Sequence, residues 1–547
     1  MHSRCMKFVR SVSRITLHKP LQKQYPLPKR LQVMPWRTLS IAMWVLCLSG
    51  ARAQQPMSMT ATSMQRAIVG HSGSGTSLQP DSTPVPMLMW QVRDGWRVML
   101  HANVFAANTQ QSTDTAPYAT ERGRDAFFST NWIMAMAQHD FGPQRGDGAG
   151  PVYGTLTLRT MFSLEPATVG RRNYPLLFQQ GETAYGAPIE DGQHPHDFFM
   201  EVAAMYDLPL SRHTLLSLYA APVGDPALGP TAYPHRQSAS EDPVAVLGHH
   251  QQDSTHIAFN VVTGGLAYRW VRAEFSGFHG GEPDEARWHF QPSSNGLAID
   301  SYAARFTVSP TRDVTAQYSY GHITSPEALS PEEDQQRQTA SVMYHHTYAR
   351  AFPRLWRRNA KSTAKASYAK SDDSMPGMDM SHGDIRGMQM SAGNSRRKQT
   401  SEPTMADSTL PMEMTPEPRN DLSASVVWGR TKSLSDQSKE NSYLAEVLYR
   451  FAGTNYLWTR LENAARTNEL ELTPGTLPPA NFEELPDGQV GAFTVGYDHD
   501  IHLGRHVLAA PGGQFTIYRV PPALLEAYKF YGTPPVGGVV FVRFRLH

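Results

Sequence analysis

The sequence has almost no cysteine. Its 547 residues include two, Cys5 and Cys47, and both lie in the first fifty residues. The small-x-small sequence ARA at 51–53 predicts cleavage after Ala53, which would leave a mature chain without cysteine. A disulfide framework is therefore excluded as the source of stability.

The apolar stretch before this cleavage site is short. It reads IAMWVLCLSG at 41–50, whereas a transmembrane helix needs about twenty apolar residues. We interpret residues 1–53 as a signal peptide, with Met34 as an alternative start of the chain. A buried helix near the N-terminus is the alternative. Leu46 before Cys47 disfavours a lipoprotein, because a small residue is expected there.

Excess charge of one sign is also missing. The formal net charge is +1, which gives no reason to expect nucleic acid as a partner. The mean hydropathy of −0.43 is too low for a membrane protein built from helices. It fits a membrane β-barrel, because only every second strand residue faces lipid, but it fits a soluble all-β protein equally well.

Alternation with a period of two dominates the chain from residue 95 onward. In the last segment Val540, Val542, Phe544 and Leu546 share one face, whereas Arg543, Arg545 and His547 share the other. About sixteen segments of this kind are present, each roughly ten residues long, and the tenth covers 337–348. They predict an all-β fold, a transmembrane antiparallel up-and-down β-barrel over 95–547, preceded by a flexible Met-containing arm over 54–94.

The two faces of these segments need different surroundings. In an outer-membrane barrel the apolar face contacts outer-membrane lipid and the polar face lines a water-filled lumen. In a soluble sandwich the apolar face would form the core instead. The signal peptide, the strand length and a final strand that runs to the end of the sequence favour the bacterial outer membrane, although His547 stands where an aromatic residue is usual.

An insert at 353–419 interrupts the strand pattern. It is polar, and we predict that it is disordered. Its candidate metal ligands are Met375, Met378, Met380, His382, Met388, Met390, Met412 and Met414, with Met405 nearby. Thioether sulfur is a soft ligand that selects Cu(I), and imidazole adds affinity for Cu(II), so copper is the predicted ion. Incidental composition of an unconstrained loop is the alternative. Because the insert follows the tenth strand, strand parity puts it in the periplasm.

Two further segments are dense in histidine. They supply the candidate ligands His194, His196, Asp197, His249, His250, Asp253 and His256. A hydrogen-bonded polar plug that orders the pore mouth is the alternative. Alternation predicts that Ile257, Phe259 and Val261 point outward and that His256 points toward the lumen.

Two smaller features of the sequence suggest other roles. The turn at 281–288 carries acidic residues and Arg287, which suggests a salt-bridged rim or, alternatively, attraction of cations. Ser254, His256 and Asp253 allow an outer-membrane hydrolase, but the sequence lacks a G-x-S-x-G motif. We therefore expect no enzymatic activity.

Several pieces of the sequence resemble a family of bacterial outer-membrane barrel proteins. They are GQHPHDFFME, ALGPTAYPHR, LGHHQQDSTHIAFNVVTGG, GEPDEARWHF, IDSYAARF and SYGHITSPEAL. The resemblance covers about residues 74 to 547, without the insert. It implies an outer-membrane barrel and a role in copper or heavy-metal tolerance with metal-efflux components as partners, because the arms of its members resemble that of copper resistance protein B. No established reaction follows from it.

The sequence thus supports an outer-membrane barrel that binds or handles copper. The alternative is a porin-like channel for small solutes, in which the methionine content is incidental. Metal ions or small solutes are the expected partners in the two cases.

Overall fold

The structure, a computed structural model, describes residues 62–112, 123, 125–169, 174–290, 298–348, 420–473, 475–528 and 534–546. Its strands are β1 (Leu88–Gln91), β2 (Trp96–Ser112), β3 (Ala126–Phe128), β4 (Asn131–Asp140), β5 (Thr155–Phe162), β6 (Tyr174–Ala184), β7 (Ala187–Gln193), β8 (Phe199–Ser211), β9 (Thr214–Gly224), β10 (Ala258–Tyr268), β11 (Val271–His279), β12 (Ser301–Thr311), β13 (Val314–Ile323), β14 (Gln335–Tyr348), β15 (Asn420–Ser433), β16 (Lys439–Phe451), β17 (Asn455–Thr467), β18 (Pro486–His499), β19 (Ile501–His502), β20 (Val507–Arg519) and β21 (Val536–Leu546). The α-helices are α1 (Ser63–Gly70), α2 (Glu165–Thr168), α3 (His249–Gln252) and α4 (Pro522–Ala527).

Sixteen of these strands form a closed antiparallel ring. Each pairs with the next in the order β2, β4, β5, β8 to β18, β20 and β21, and β21 pairs back with β2. The short strands β1, β3 and β19 extend the sheet at its ends. The predicted fold class, an up-and-down β-barrel of about sixteen strands, is confirmed.

The exposure of the barrel wall is inverted relative to a soluble protein. Phe275 is 60% exposed and Val540 is 62% exposed, whereas Arg305 and Arg543 on the same wall are at most 3% exposed. An outer belt of large apolar side chains around a polar inner face is stable only when hydrocarbon surrounds the ring. The barrel is therefore an outer-membrane protein, and the period-two alternation arises from these two environments.

No helix among the described residues is long and apolar enough to cross a bilayer.

The two ends of the barrel differ in the length of their connections. At one end two or three residues join β8 to β9, β10 to β11, β12 to β13 and β16 to β17; we call this end the short-turn rim. The opposite end, the long-loop rim, carries connections such as 163–198 and 225–257. In outer-membrane barrels short turns face the periplasm and longer loops face the exterior.

The predicted insert connects β14 to β15, which are the tenth and eleventh strands of the ring. The strand ends that it joins, Tyr348 and Asn420, pair at the short-turn rim, which is the end that strand parity predicts. The insert and its ligands Met375, Met378, Met380, His382, Met388, Met390, Met412 and Met414 lie outside the described residues, as do the predicted signal peptide and residues 54–61 of the arm.

Residues 62–86 differ from the predicted flexible arm. They begin with α1, whose Thr62 and Gln65 form a capping box, and they continue along the inner wall at the short-turn rim. Three buried arginines of the wall hold this N-terminal segment. Arg159 donates to the carbonyls of His71, Gly73 and Gly75, Arg272 donates to the carbonyl of Thr76, and Arg305 donates to its hydroxyl. The arm is ordered here because these guanidinium groups replace the water that its backbone would otherwise bind.

Two further parts of the chain fold into the lumen from the long-loop rim. One is the inner hairpin, β6 and β7, which pair only with each other among the described strands. The other is the lumen loop, residues 225–257, which includes α3. Tyr174 of the hairpin and Val246 of the loop pack against Leu448 and Trp458 on the inner wall. The lumen of this barrel is therefore filled by its own chain.

Candidate functional site

The lumen loop is tied to the inner wall by buried ion pairs. Glu241 lies 2.6 Å from Arg543 of β21, and Asp242 lies 3.0 Å from Arg460 of β17. In the opposite sense, Arg236 of the loop lies 2.5 Å from Glu446 of β16. All six side chains are at most 2% exposed. Ion pairs of this kind fix the position of the loop, because removing one partner would leave a charge buried without compensation.

The lumen loop also brings the predicted histidines together. The ring centroid of His256 lies 5.3 Å from that of His196 and 5.1 Å from that of His249. His194 and His250 flank this group, at 6.4 Å from His196 and 5.5 Å from His249 respectively. The segments 194–197 and 249–256 therefore converge inside the barrel.

Hydrogen bonds engage most of these side chains. Nδ1 of His196 lies 2.8 Å from Glu165, and Nδ1 of His249 lies 2.6 Å from Asp253. Nδ1 of His256 lies 2.9 Å from the carbonyl of Asp253. Asp197 forms an ion pair with Arg287 at 3.1 Å. This ion pair links the turn at 281–288 to the residues just before β8.

These partners set the protonation of the histidine cluster. Burial lowers the pKa of His256 well below its usual value, and His249 and His196 lower it further. Burial opposes protonation of His196 as well, but the Glu165 carboxylate outweighs it and raises the pKa of His196. Burial alone would raise the pKa of Asp253, yet His249 and Arg236 lower it to about 2.

No group of three His, Cys, Asp or Glu side chains in the described part of the chain is arranged to hold a metal ion. Nε2 of His256, which is buried, has no hydrogen-bond partner among the described residues. A metal role for His194, His196, Asp197, His249, His250, Asp253 and His256 stays a prediction. The geometry shown here is that of hydrogen-bonded residues inside a filled lumen.

The predicted faces at the start of β10 need correction. His256 points into the lumen as expected, but Ile257, Phe259 and Val261 are buried instead of facing outward. The strand has a register shift between Phe259 and Val262, and Asn260 adopts a left-handed φ of 54°. This irregularity reverses the alternation, so that Val262 is the first residue of the strand to face lipid.

Ser254 and His256, the residues of the hydrolase alternative, have other partners. Arg337 donates to the Ser254 hydroxyl at 2.5 Å, and Nδ1 of His256 faces the backbone carbonyl of Asp253. The hydroxyl thus receives a hydrogen bond from a cation, which is the opposite of what a nucleophile needs.

At the long-loop rim the filled lumen opens into a cavity of about 1550 Å³, which we call the vestibule. Its wall comes from the inner hairpin, from α3 and from the connections that follow β11, β13, β15 and β17. Eleven carboxylate side chains line it: Glu282, Asp284, Glu285, Asp300, Glu327, Glu333, Asp436, Glu440, Glu469, Glu483 and Glu484. Only those at 281–288 stand out in the sequence, because the others are scattered over four connections and strand β16.

Comparison with known proteins gives a fold likeness and nothing finer. The chain matches no protein-family model, and no curated protein is similar to it in sequence. Over 83% of this chain it is similar to all of an anion-selective porin from Comamonas acidovorans, with 10% identity and a TM-score of 0.39. It is similar over the same share to 94% of Pseudomonas putida OprB, with 8% identity and a TM-score of 0.37.

A third similar structure is the trimer form of OmpT, an outer membrane protein of Vibrio cholerae, with 6% identity and a TM-score of 0.38 over 83% of this chain and all of that one. At such values the likeness carries no conclusion about function. The assignment of this chain as a sixteen-stranded outer-membrane β-barrel rests on its own strand pairing and its apolar outer belt.

Proposed function

We propose that this protein is a porin-like channel for small solutes whose passage its own lumen loop and inner hairpin restrict. The observation that carries the proposal is the closed ring of sixteen strands with a polar inner wall, open at the long-loop rim into a vestibule of about 1550 Å³. A cavity of this size admits a hydrated solute and excludes a folded protein.

The inner wall supports the same proposal. Inward positions carry Ser276, Thr339 and Ser425, whose buried hydroxyl groups form hydrogen bonds with the lumen loop or with neighbouring wall residues and make the inner wall polar. The segments inside the lumen are held by ion pairs and hydrogen bonds and not by covalent links. Such contacts can exchange for contacts with water when a segment moves, which gives the channel a way to open.

Flux into proteoliposomes tests the function. The mature protein would be reconstituted, and swelling would be followed with neutral solutes of increasing size. We expect flux of small solutes above that of empty liposomes, and lower flux than an unobstructed barrel of sixteen strands would give. Absence of flux in the wild type, and also in a variant whose lumen loop is released, would contradict a channel.

Copper binding by the insert is a second proposal, and its support lies in the sequence. Eight methionines and His382 within 353–419 offer soft sulfur ligands, and the insert joins β14 and β15 at the short-turn rim. In this proposal the barrel anchors a copper-binding segment on the periplasmic side, where metal-efflux components would be its partners.

A further inference from the structure

The vestibule is lined by many more carboxyl groups than guanidinium groups. Two guanidinium groups line the same cavity, those of Arg337 and Arg466. Arg466 directs its three nitrogens to the backbone carbonyls of Phe178, Leu247 and Ala465. Arg337 donates to Ser254. Both arginines direct their hydrogen bonds to the inner framework, although Arg337 also acts electrostatically on Glu327 and Arg466 acts on Glu440. Two guanidinium groups against eleven carboxyl groups leave the vestibule acidic.

Four of the glutamates accept hydrogen bonds from neutral amides where an ion pair would be expected. Glu327 accepts from Gln335 at 3.3 Å and Glu440 accepts from Gln251 at 2.7 Å. Glu469 and Glu484 both accept from Nε2 of Gln180, each at 3.1 Å. Among the described residues none of the four forms an ion pair, and two carboxylates converge on one amide nitrogen.

Gln251 supplies an independent sign of a missing donor. The residue is 4% exposed and lines the vestibule, and its amide nitrogen donates to Glu440. Its amide oxygen has no hydrogen-bond partner among the described residues. A buried acceptor without a donor is unfavourable because it has lost its hydrogen bond to water, so the site gains from any ligand that brings an N–H group to it.

The protonation of the glutamates fits this picture. Burial raises the pKa of Glu327, Glu469 and Glu484 above the usual range, and neighbouring carboxylates raise it further. A raised pKa means that these carboxyl groups hold a proton more readily than a free glutamate does, and a bound ammonium group that replaces the proton supplies the positive charge that neutralises the carboxylate.

The geometry points to a site for an organic cation that carries two or more primary ammonium groups. One ammonium group would lie between Glu440 and the amide oxygen of Gln251, and another would lie at Glu469 and Glu484. A linear polyammonium ion fits better than a bare metal ion, because the described residues offer no group of three metal ligands and the carboxylates are spread over a large cavity. This inference names the solute class of the proposed channel and so rests on that function.

Equilibrium binding of spermidine to the detergent-solubilised mature protein tests the inference without requiring transport. We expect spermidine to bind at low ionic strength, and n-butylammonium, which has one ammonium group, to bind at least about tenfold more weakly, since each ammonium–carboxylate contact adds affinity. The double variant E469Q/E484Q should weaken spermidine binding by about tenfold or more. Gln251→Leu should weaken it by about threefold or more, because the unpaired acceptor is lost.

Asp147→Asn is the matched control, because it removes one exposed carboxylate at the short-turn rim. It should change the affinity for spermidine by less than about twofold. Heat-modifiable migration on gels would confirm that each variant keeps the folded barrel. Any of three results would overturn the inference. D147N could lose as much spermidine affinity as E469Q/E484Q, n-butylammonium could bind as tightly as spermidine, or an equal concentration of Ca²⁺ could displace spermidine.

The outcome separates the inference from the proposed function. Spermidine binding without any solute flux would keep the site and reject the channel. Flux of small neutral solutes without spermidine binding would keep the channel and reject the site.

Discussion

Arg460 of the barrel wall and Asp242 of the lumen loop form an ion pair of 3.0 Å in which both side chains are almost completely buried. The two residues are separated by more than two hundred positions in the sequence. Arg460 also lies 3.6 Å from Glu446 and donates to the backbone carbonyl of Val244 at 3.1 Å. One guanidinium group thus holds both the backbone and a side chain of the loop against β17.

Asp242→Asn should release part of the lumen loop. Loss of one partner from a buried ion pair costs about 3 kcal/mol, because the remaining charge stays desolvated. We expect higher single-channel conductance in planar bilayers, or longer open times, than in the wild type.

The replacement of both partners is the control for this prediction. Asp242→Leu combined with Arg460→Met removes both charges of the pair, Glu446 keeps its ion pair with Arg236, and such apolar replacements are often neutral. The double variant should conduct like the wild type. Equal conductance of D242N and the wild type would show that the pair does not restrain the loop.

Arg159→Met should loosen the N-terminal segment. Arg159 donates to three backbone carbonyls between residues 71 and 75 and lies 2.7 Å from Glu201. Without it these carbonyls must bind water, so hydrogen exchange at residues 71–76 should become at least about tenfold faster. Mass spectrometry of the exchanged peptides measures this. Arg145→Met, at the short-turn rim, is the control and should leave the exchange rate of residues 71–76 unchanged. Exchange as slow in R159M as in the wild type would show that Arg159 is not needed to hold the N-terminal segment.

Acidification should destabilise the lumen loop through His256. Burial lowers the pKa of His256 in the folded state, whereas the unfolded chain has a value near 6.5. Below that pH the unfolded chain binds a proton that the folded chain does not, so stability falls as the pH falls. The slope is at most about 1.4 kcal/mol per pH unit for one group.

Thermal denaturation between pH 7.5 and 5.5 tests this linkage. His256→Asn removes the titrating group, and its midpoint should fall less over this range than that of the wild type. His213→Asn, in an exposed turn, should retain the wild-type pH dependence. His196, whose pKa is raised by Glu165, is present in all three proteins and contributes in the opposite direction. An unchanged pH dependence in H256N would contradict a buried neutral imidazole.

The insert should bind copper if its methionines act as ligands. We expect the mature protein to bind Cu(I) more tightly than about micromolar in competition with a chromogenic chelator. Substitution of Met375, Met378, Met380, Met388 and Met390 by Leu should remove this binding. Met343→Leu, on a barrel strand, is the control and should leave it intact. Absence of binding in the wild type would leave the methionine content without a role in copper chemistry.

The number and placement of the strands could be predicted from the sequence. Val540 and Arg543 lie on opposite faces of β21 as the alternation indicates, and the insert follows the tenth strand of the ring. Both properties depend on neighbours one or two positions apart, because adjacent side chains of a strand must face different surroundings. The outer-membrane location follows from the same pattern, since lipid and water select different side chains.

The contents of the lumen were decided by tertiary structure. The sequence shows His196, His249 and His256 but not that their rings meet, and it gives no sign that Arg159 orders the N-terminal segment. Asn260 adopts a left-handed φ and interrupts the period-two alternation of β10. Ile257 and Phe259 consequently point inward and pack in a buried apolar cluster. The vestibule likewise unites glutamates from separate connections. Such contacts join residues that are far apart in the chain, so they produce no periodic pattern from which the sequence could predict them.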